Sequence, residues 1–125
     1  MAYLETIKLV TGDSMPDISV VLRDSNNAAA GFTYDENNSN TWAPIDLSLA
    51  SQVRMHIRKI GESALLKDIL GIIADAANGN VLFNFNNNAF TEDGLYEAEF
   101  EITYQDGGVH TTYDLIKLRV RSEFA

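Results

Sequence analysis

Glu97, Glu99 and Glu101, with the adjacent pair Glu92 and Asp93, are the residues best suited by type to acid/base chemistry. Glycoside hydrolysis needs two carboxyl groups that face each other across a cleft. Alternate residues of a strand project from one side, so the three glutamates form a row along a surface and do not oppose one another. They read as a solvated acidic face and as candidates for facing a partner. His56 and His110 lack His-x-x-His or His-x-x-x-His spacing, and a chain with no Cys offers no thiolate to complete a zinc site. Both are expected to be exposed sheet residues.

Asp35, Asn37 and Ser39 have the alternate oxygen spacing of a calcium loop, and Asp46 stands twelfth. The sixth position is Asn40 where such a loop needs Gly, and Pro44 stiffens the exit, so a solvated Asn-rich turn is the better reading. There is no Gly-x-Ser-x-Gly elbow and no glycine-rich phosphate loop. No catalytic residue, cofactor or metal ligand is assigned, and the chain is not read as an enzyme. Trp42, the one tryptophan, is expected to lay its ring over the edge of the core. With Tyr34 it is also a candidate partner-facing aromatic, because Trp concentrates binding energy at interfaces.

The elements that position these residues are strands. Gly94–Tyr104 alternates with period two, placing Tyr96, Ala98, Phe100, Ile102 and Tyr104 on one face and the three glutamates on the other. Gln105-Asp-Gly-Gly108 turns the chain, and Val109–Arg121 returns. With Tyr104 facing Val109, the pairs Ile102/Thr111, Phe100/Tyr113 and Ala98/Leu115 share the buried face. The apolar parity then flips to Ile116, Leu118 and Val120, and a bulge near Asp114-Leu115 restores it, leaving Lys117 opposite Glu97.

Gln52–Ile60 alternates in the same way, with Arg54, His56 and Arg58 on its wet face. Opposite charges on neighbouring strands contribute about 0.2 to 1 kcal/mol per directly opposed pair, which predicts that this strand lies beside the acidic one. Tyr3–Val10 and Ile18–Asp24 read as the first two strands, separated by a break at Thr11–Pro16. The stretch from 25 to 44 reads as loop, with a short strand at Gly31–Tyr34.

Residues 62–79 fit a helical stripe, yet Gly71 in mid-helix costs about 1 kcal/mol relative to Ala. The hairpin reading is preferred. Asn78-Gly79 then forms a two-residue turn, with Ile72, Ala74 and Ala76 facing Phe85, Phe83 and Val81, and a further short strand lies near Ala64–Leu66. Asn86–Gly94 is a second loop. The expected core includes Val20, Ile57, Phe83, Phe85, Phe100 and Ile102.

These elements predict an all-β protein, an antiparallel immunoglobulin-like β-sandwich of seven to nine strands spanning residues 1–125 as a single domain. Its 125 residues, 46% hydrophobic, are enough for one core without disulfides. With 9 basic against 18 acidic residues and a net charge of -9, the chain cannot gather the cationic surface that nucleic acid or an anionic membrane requires. Its start lacks a basic segment followed by an apolar one, so synthesis in the cytoplasm is expected.

Gly12-Asp13 followed by Pro16, then Ile18–Asp24, then Val53–Arg58, then Gly94–Gly107 occur in an order that resembles the N-terminal immunoglobulin-like domain of phage baseplate upper proteins and related tail-fibre attachment domains. The resemblance covers nearly the whole chain. It implies a non-catalytic virion protein, made in the host cytoplasm, that anchors receptor-binding machinery to a phage tail. Members of that family continue into a fibre or coiled-coil region, whereas this chain ends at Phe124-Ala125, which favours a small adaptor subunit. The implied partners are other phage tail or neck proteins and further copies of the chain in a symmetric assembly. Two alternatives remain: a capsid decoration (cement) protein of the same size and acidity, and a carbohydrate-binding module using Tyr34 and Trp42.

Overall fold

The computed structural model describes residues 5–13, 17–85 and 88–124, and over them the chain forms eleven strands, one 3₁₀ turn and no α-helix. In chain order the strands are β1 (Thr6–Val10), β2 (Ile18–Val21), β3 (Arg23–Ala28), β4 (Trp42–Pro44), β5 (Ala50–Lys59), β6 (Lys67–Leu70), β7 (Ile72–Asp75), β8 (Asn80–Phe83), β9 (Gly94–Tyr104), β10 (Val109–Thr111) and β11 (Ile116–Arg121). Single residues, Leu22 and Gly71, divide two continuous runs into separate strands. The count therefore exceeds the seven to nine expected.

The larger sheet has the order β1-β11-β9-β5-β6, with β10 beside the other half of β9; a second sheet has the order β2-β8-β7, and β3 pairs with β4 as a separate arm. Strand β9 is central because its alternation is longest: Tyr96, Ala98, Phe100 and Ile102 are all buried. The inner faces of the two main sheets share one apolar cluster, to which Val20, Val81 and Phe83 contribute from one side and Val53, Met55, Ile57 and Leu118 from the other. Across this layer Phe83 and Phe100 bring their ring centroids to 5.5 Å. Each of the six expected core residues is at most 4% exposed. This is a two-sheet sandwich, with layers held together by burial of apolar side chains.

The pairing is not wholly antiparallel, since β1 runs parallel to β11. A parallel pair needs a long crossover, and here all the intervening strands supply it. The return after β9 also differs from expectation. Strand β10 pairs Val109 with Thr103, His110 with Ile102 and Thr111 with Glu101, one residue away from the predicted register. His110, half-buried, thus takes the inward position predicted for Thr111. Beyond it, Ile116 pairs with Ala98 and Lys117 with Glu97, so the interruption inserts two residues where one was predicted. Tyr113 falls in that interruption and is 76% exposed, and Leu115 does not face Ala98. Thr112 anchors the break: its amide donates to the Phe100 carbonyl and its Oγ1 accepts from the Phe100 amide.

The 62–79 region is extended, as the hairpin reading predicted, but with a different register. Ile72 pairs with Leu82 and Ile73 with Val81, so Ile73 packs on the core while Ile72 and Ala74 face outward. The turn comprises residues 76–79. A two-residue type I′ turn needs positive φ at both positions, and only Gly79 has it, at 71°. The short strand of this region is β6, one step beyond Ala64–Leu66. Gly71 joins β6 to β7 where the chain passes from one sheet to the other, packed so closely that a Cβ would meet Val81 Cγ1 at 2.6 Å and Phe83 at 2.7 Å.

No strand forms at Gly31–Tyr34. The partner of β4 is instead a continuation of the second predicted strand, β3, whose register against β4 shifts between Asp24 and Ala28. Asp24 stabilises that bulge by accepting from the Asn26 amide at 2.9 Å. Tyr3, Leu4, Ser14, Met15, Pro16, Asn86 and Asn87, with the strand start, the Pro16 break and the centre of the second Asn-rich loop assigned to them, lie outside the described residues.

Candidate docking surface

The register of β5 on β9 sets Arg54 opposite Glu101, His56 opposite Glu99 and Arg58 opposite Glu97, so the basic and acidic strands are neighbours on one outer face. Strand β6 adds Asp68 beside His56 and Leu70 beside Arg54. Arg58 Nε donates to Glu97 Oε1 at 2.6 Å, and Arg54 Nη1 to Asp68 Oδ1 at 3.2 Å. His56 lies between carboxylates, with Nδ1 3.7 Å from Glu99 and Nε2 3.7 Å from Asp68. The two carboxylates stand on opposite sides of the imidazole, so they cannot converge on one ion. No group of three or more His, Cys, Asp or Glu side chains among the described residues is arranged to hold a metal.

The acidic row is not uniform. Glu97 is 8% exposed, enclosed between Arg58 and the cross-strand Lys117, whereas Glu99 and Glu101 are half-buried. Of the three, Glu97 is the least exposed to an approaching partner. His56, Arg58, Leu65, Glu97, Glu99 and Leu115 border an open groove of about 260 Å3 on this face. Glu92 and Asp93 sit apart from the row at the foot of β9, where Glu92 lies 3.8 Å from Lys59 and its carbonyl accepts from the Tyr96 hydroxyl. Burial, and then the nearby negative charge of Glu92, push the Tyr96 phenol above its ordinary value.

Tyr34 and Trp42 belong to the β3–β4 arm. The Trp42 ring is 4% exposed, covered by the loop before it, and its Nε1 donates to the Asp35 carbonyl at 3.0 Å. Little of the indole is left exposed, because the loop closes over it and satisfies its only donor. It also stands outside the main core cluster, under the arm. Tyr34 is 43% exposed and donates to the Ser25 carbonyl at 2.6 Å. Asp35 and Asn38 use their side-chain oxygens to accept from the amides of Asn37 and Asn40, and Thr41 Oγ1 accepts from the Asp35 amide. Asp46 Oδ1 is engaged by Ser48. Of the oxygens compared with a calcium loop, those of Asp35 and Asp46 thus serve local turns.

A feature the sequence reading missed is the edge formed by β6 and β7. Leu65, Leu66, Leu70 and Ile72 are each more than half exposed along it. Among the described residues both strands end their sheets, leaving one side of each ladder without a strand. The signal was present as apolar residues on both parities of 65–73, which no single buried face can absorb. Lys67 turns away from this edge and lies over the Phe90 ring at 5.2 Å, and burial lowers its pKa.

The family model described as the BppU N-terminal domain matches residues 4–116. No curated protein matches the chain. Among solved structures, that of murine CRIg is similar over 93% of this chain and 92% of that chain, at 13% identity and a TM-score of 0.39.

Proposed function

The chain belongs to the BppU N-terminal domain family, that of phage baseplate upper proteins, and from this membership we propose that it is an adaptor subunit helping to attach fibres or receptor-binding machinery to the tail. As a member it is a baseplate-associated structural component of the virion. No helix among the described residues is long and apolar enough to cross a membrane. The family match over residues 4–116 carries the adaptor reading. We assign the domain as one immunoglobulin-like sandwich that docks to other tail proteins and to further copies of itself.

Two surfaces support this reading. The β6–β7 edge offers backbone donors and acceptors beside four exposed apolar side chains, the combination that strand addition uses. The outer face of the larger sheet offers Glu99 and Glu101 among basic neighbours, a charge pattern that fixes register more than it adds affinity. Tyr34 extends the assigned contact surface onto the arm.

The experiment is to fractionate purified virions into capsids and tails and to locate the protein, alongside pull-downs with the purified baseplate components. Presence in tails, with binding abolished by Leu70→Lys at an unchanged melting temperature, is expected. Presence on capsids alone would establish the decoration reading instead. Absence from both, with a monomeric protein that binds no tail component, would overturn the structural role.

A further inference from the structure

Three aromatic side chains from two distant parts of the chain border one open groove of about 350 Å3: Tyr34 and Trp42 from the β3–β4 arm, and Tyr113 from the break between β10 and β11. Of these three side chains the docking role uses Tyr34 alone. Asn26, Glu36 and Asp114 complete the rim with an amide and two carboxylates. We propose that this groove is a saccharide-binding site that takes a neutral sugar ring.

A pyranose presents an apolar C–H face and a belt of hydroxyls around its edge. Its recognition therefore needs an exposed flat ring to cover the face and short polar groups at the rim to meet the hydroxyls. Tyr113 supplies the plate. Its side chain is 76% exposed in a segment that leaves the ladder, with the neighbouring Thr112 fixing the backbone through both of its hydrogen bonds to Phe100. Trp42, largely covered, forms the floor. The rim carboxylates accept hydroxyl protons, and the Asn26 amide both donates and accepts.

Two of the aromatics are positioned before any ligand arrives. The Tyr34 hydroxyl is held on the Ser25 carbonyl at 2.6 Å and the Trp42 indole on the Asp35 carbonyl at 3.0 Å. Side chains already ordered lose little further entropy on binding. A volume near 350 Å3 lies at the small end of ligand sites, which suits one or two sugar rings.

The charges select the class. Glu36 and Asp114, in a chain of net charge -9, repel phosphate, sulfate and uronate groups. Aromatics beside carboxylates also suit a cation, so an oligo-arginine peptide serves as the competing ligand in the test.

The test uses the whole chain, titrated with glucose, galactose, mannose, rhamnose, N-acetylglucosamine and N-acetylgalactosamine. Amide NMR shifts and the fluorescence of Trp42, the sole tryptophan, are followed. At least one sugar is expected to shift residues around Tyr34, Trp42 and Tyr113 and to change the emission. Tyr113→Ala and Asp114→Asn are each expected to weaken that sugar's binding about tenfold or more, with the melting temperature unchanged because neither side chain belongs to the core. The proposal fails if no sugar perturbs these residues, if both variants bind as the parent does, or if an oligo-arginine peptide occupies the groove and the sugars do not.

Discussion

Arg58 Nε donates to Glu97 Oε1 at 2.6 Å across positions that the β5–β9 register sets directly opposite, and the two side chains are 48% and 11% exposed. The glutamate is the enclosed partner, so its loss leaves a half-exposed cation that water can still solvate. Glu97→Ala is expected to lower unfolding free energy by about 1 to 2 kcal/mol, between the values for an exposed ion pair and a charged hydrogen bond. Urea denaturation measures it; a change indistinguishable from zero would show that the enclosure contributes nothing.

Glu99→Lys, by contrast, removes only the 3.7 Å approach to His56 from a side chain that is 42% exposed. Its stability cost is expected to stay within about 1 kcal/mol. Loss of binding to tail components at an unchanged melting temperature would identify the outer face as an interface. A fall of many degrees would mean that the side chain is held far more tightly than its exposure indicates.

Phe100 is 1% exposed and meets Phe83 across the two sheets. Phe100→Ala is expected to destabilise by about 3 to 5 kcal/mol, combining lost transfer free energy with the cavity left between the layers. Chemical denaturation that returned less than about 1 kcal/mol would contradict the packing of these sheets around this ring.

At Gly71 an added methyl group would lie 2.6 Å from Val81 Cγ1 and 2.7 Å from Phe83. Gly71→Ala is therefore expected to destabilise by about 1 to 3 kcal/mol through overpacking, despite Ala's better chain entropy. A stabilised variant in a thermal melt would show that β6 and β7 can separate from β8 without cost.

Acid lability should trace in part to Asp24. The Asn26 amide, with help from the Asn27 side chain and His110, holds its carboxyl below the ordinary value of 3.8, against a smaller opposing effect of burial. A lowered folded-state pKa means that the unfolded chain binds the proton more readily. The contribution is thus present above the ordinary value and is lost as pH falls through the folded-state pKa. Glu5 acts in the opposite sense, since burial raises its pKa and its contribution is lost as pH rises. Unfolding midpoints measured across the acid range should fall less steeply for Asp24→Asn than for the parent protein, and parallel slopes would exclude Asp24 as a contributor.

Local alternation sufficed to identify β5 and β9, their inner faces and their charge-matched adjacency, because period-two patterning and opposed charge are properties of short segments. Every one of the six expected core residues lay on such a segment. The resemblance of ordered motifs likewise led to the family that residues 4–116 match. Registers were legible only where both strands alternated without interruption. The β10 return slipped by one residue because Val109, His110 and Thr111 offer no strongly apolar face, leaving the turn and the Thr112 bonds to Phe100 to settle the pairing.

What required the tertiary structure was the fate of residues whose sequence neighbours do not determine their surroundings. The burial of Trp42 depends on a loop folding back to accept its indole proton, and the enclosure of Glu97 on side chains from two other strands. Tyr34, Trp42 and Tyr113 share a groove only because the β3–β4 arm reaches the break after β10. The apolar edge at β6–β7 arises where Gly71 lets the chain change sheets, a passage set by the space beside Phe83 that no local pattern encodes. Alternation specifies which face of a strand is apolar; the closing of two sheets around a common volume determines what each remaining side chain touches.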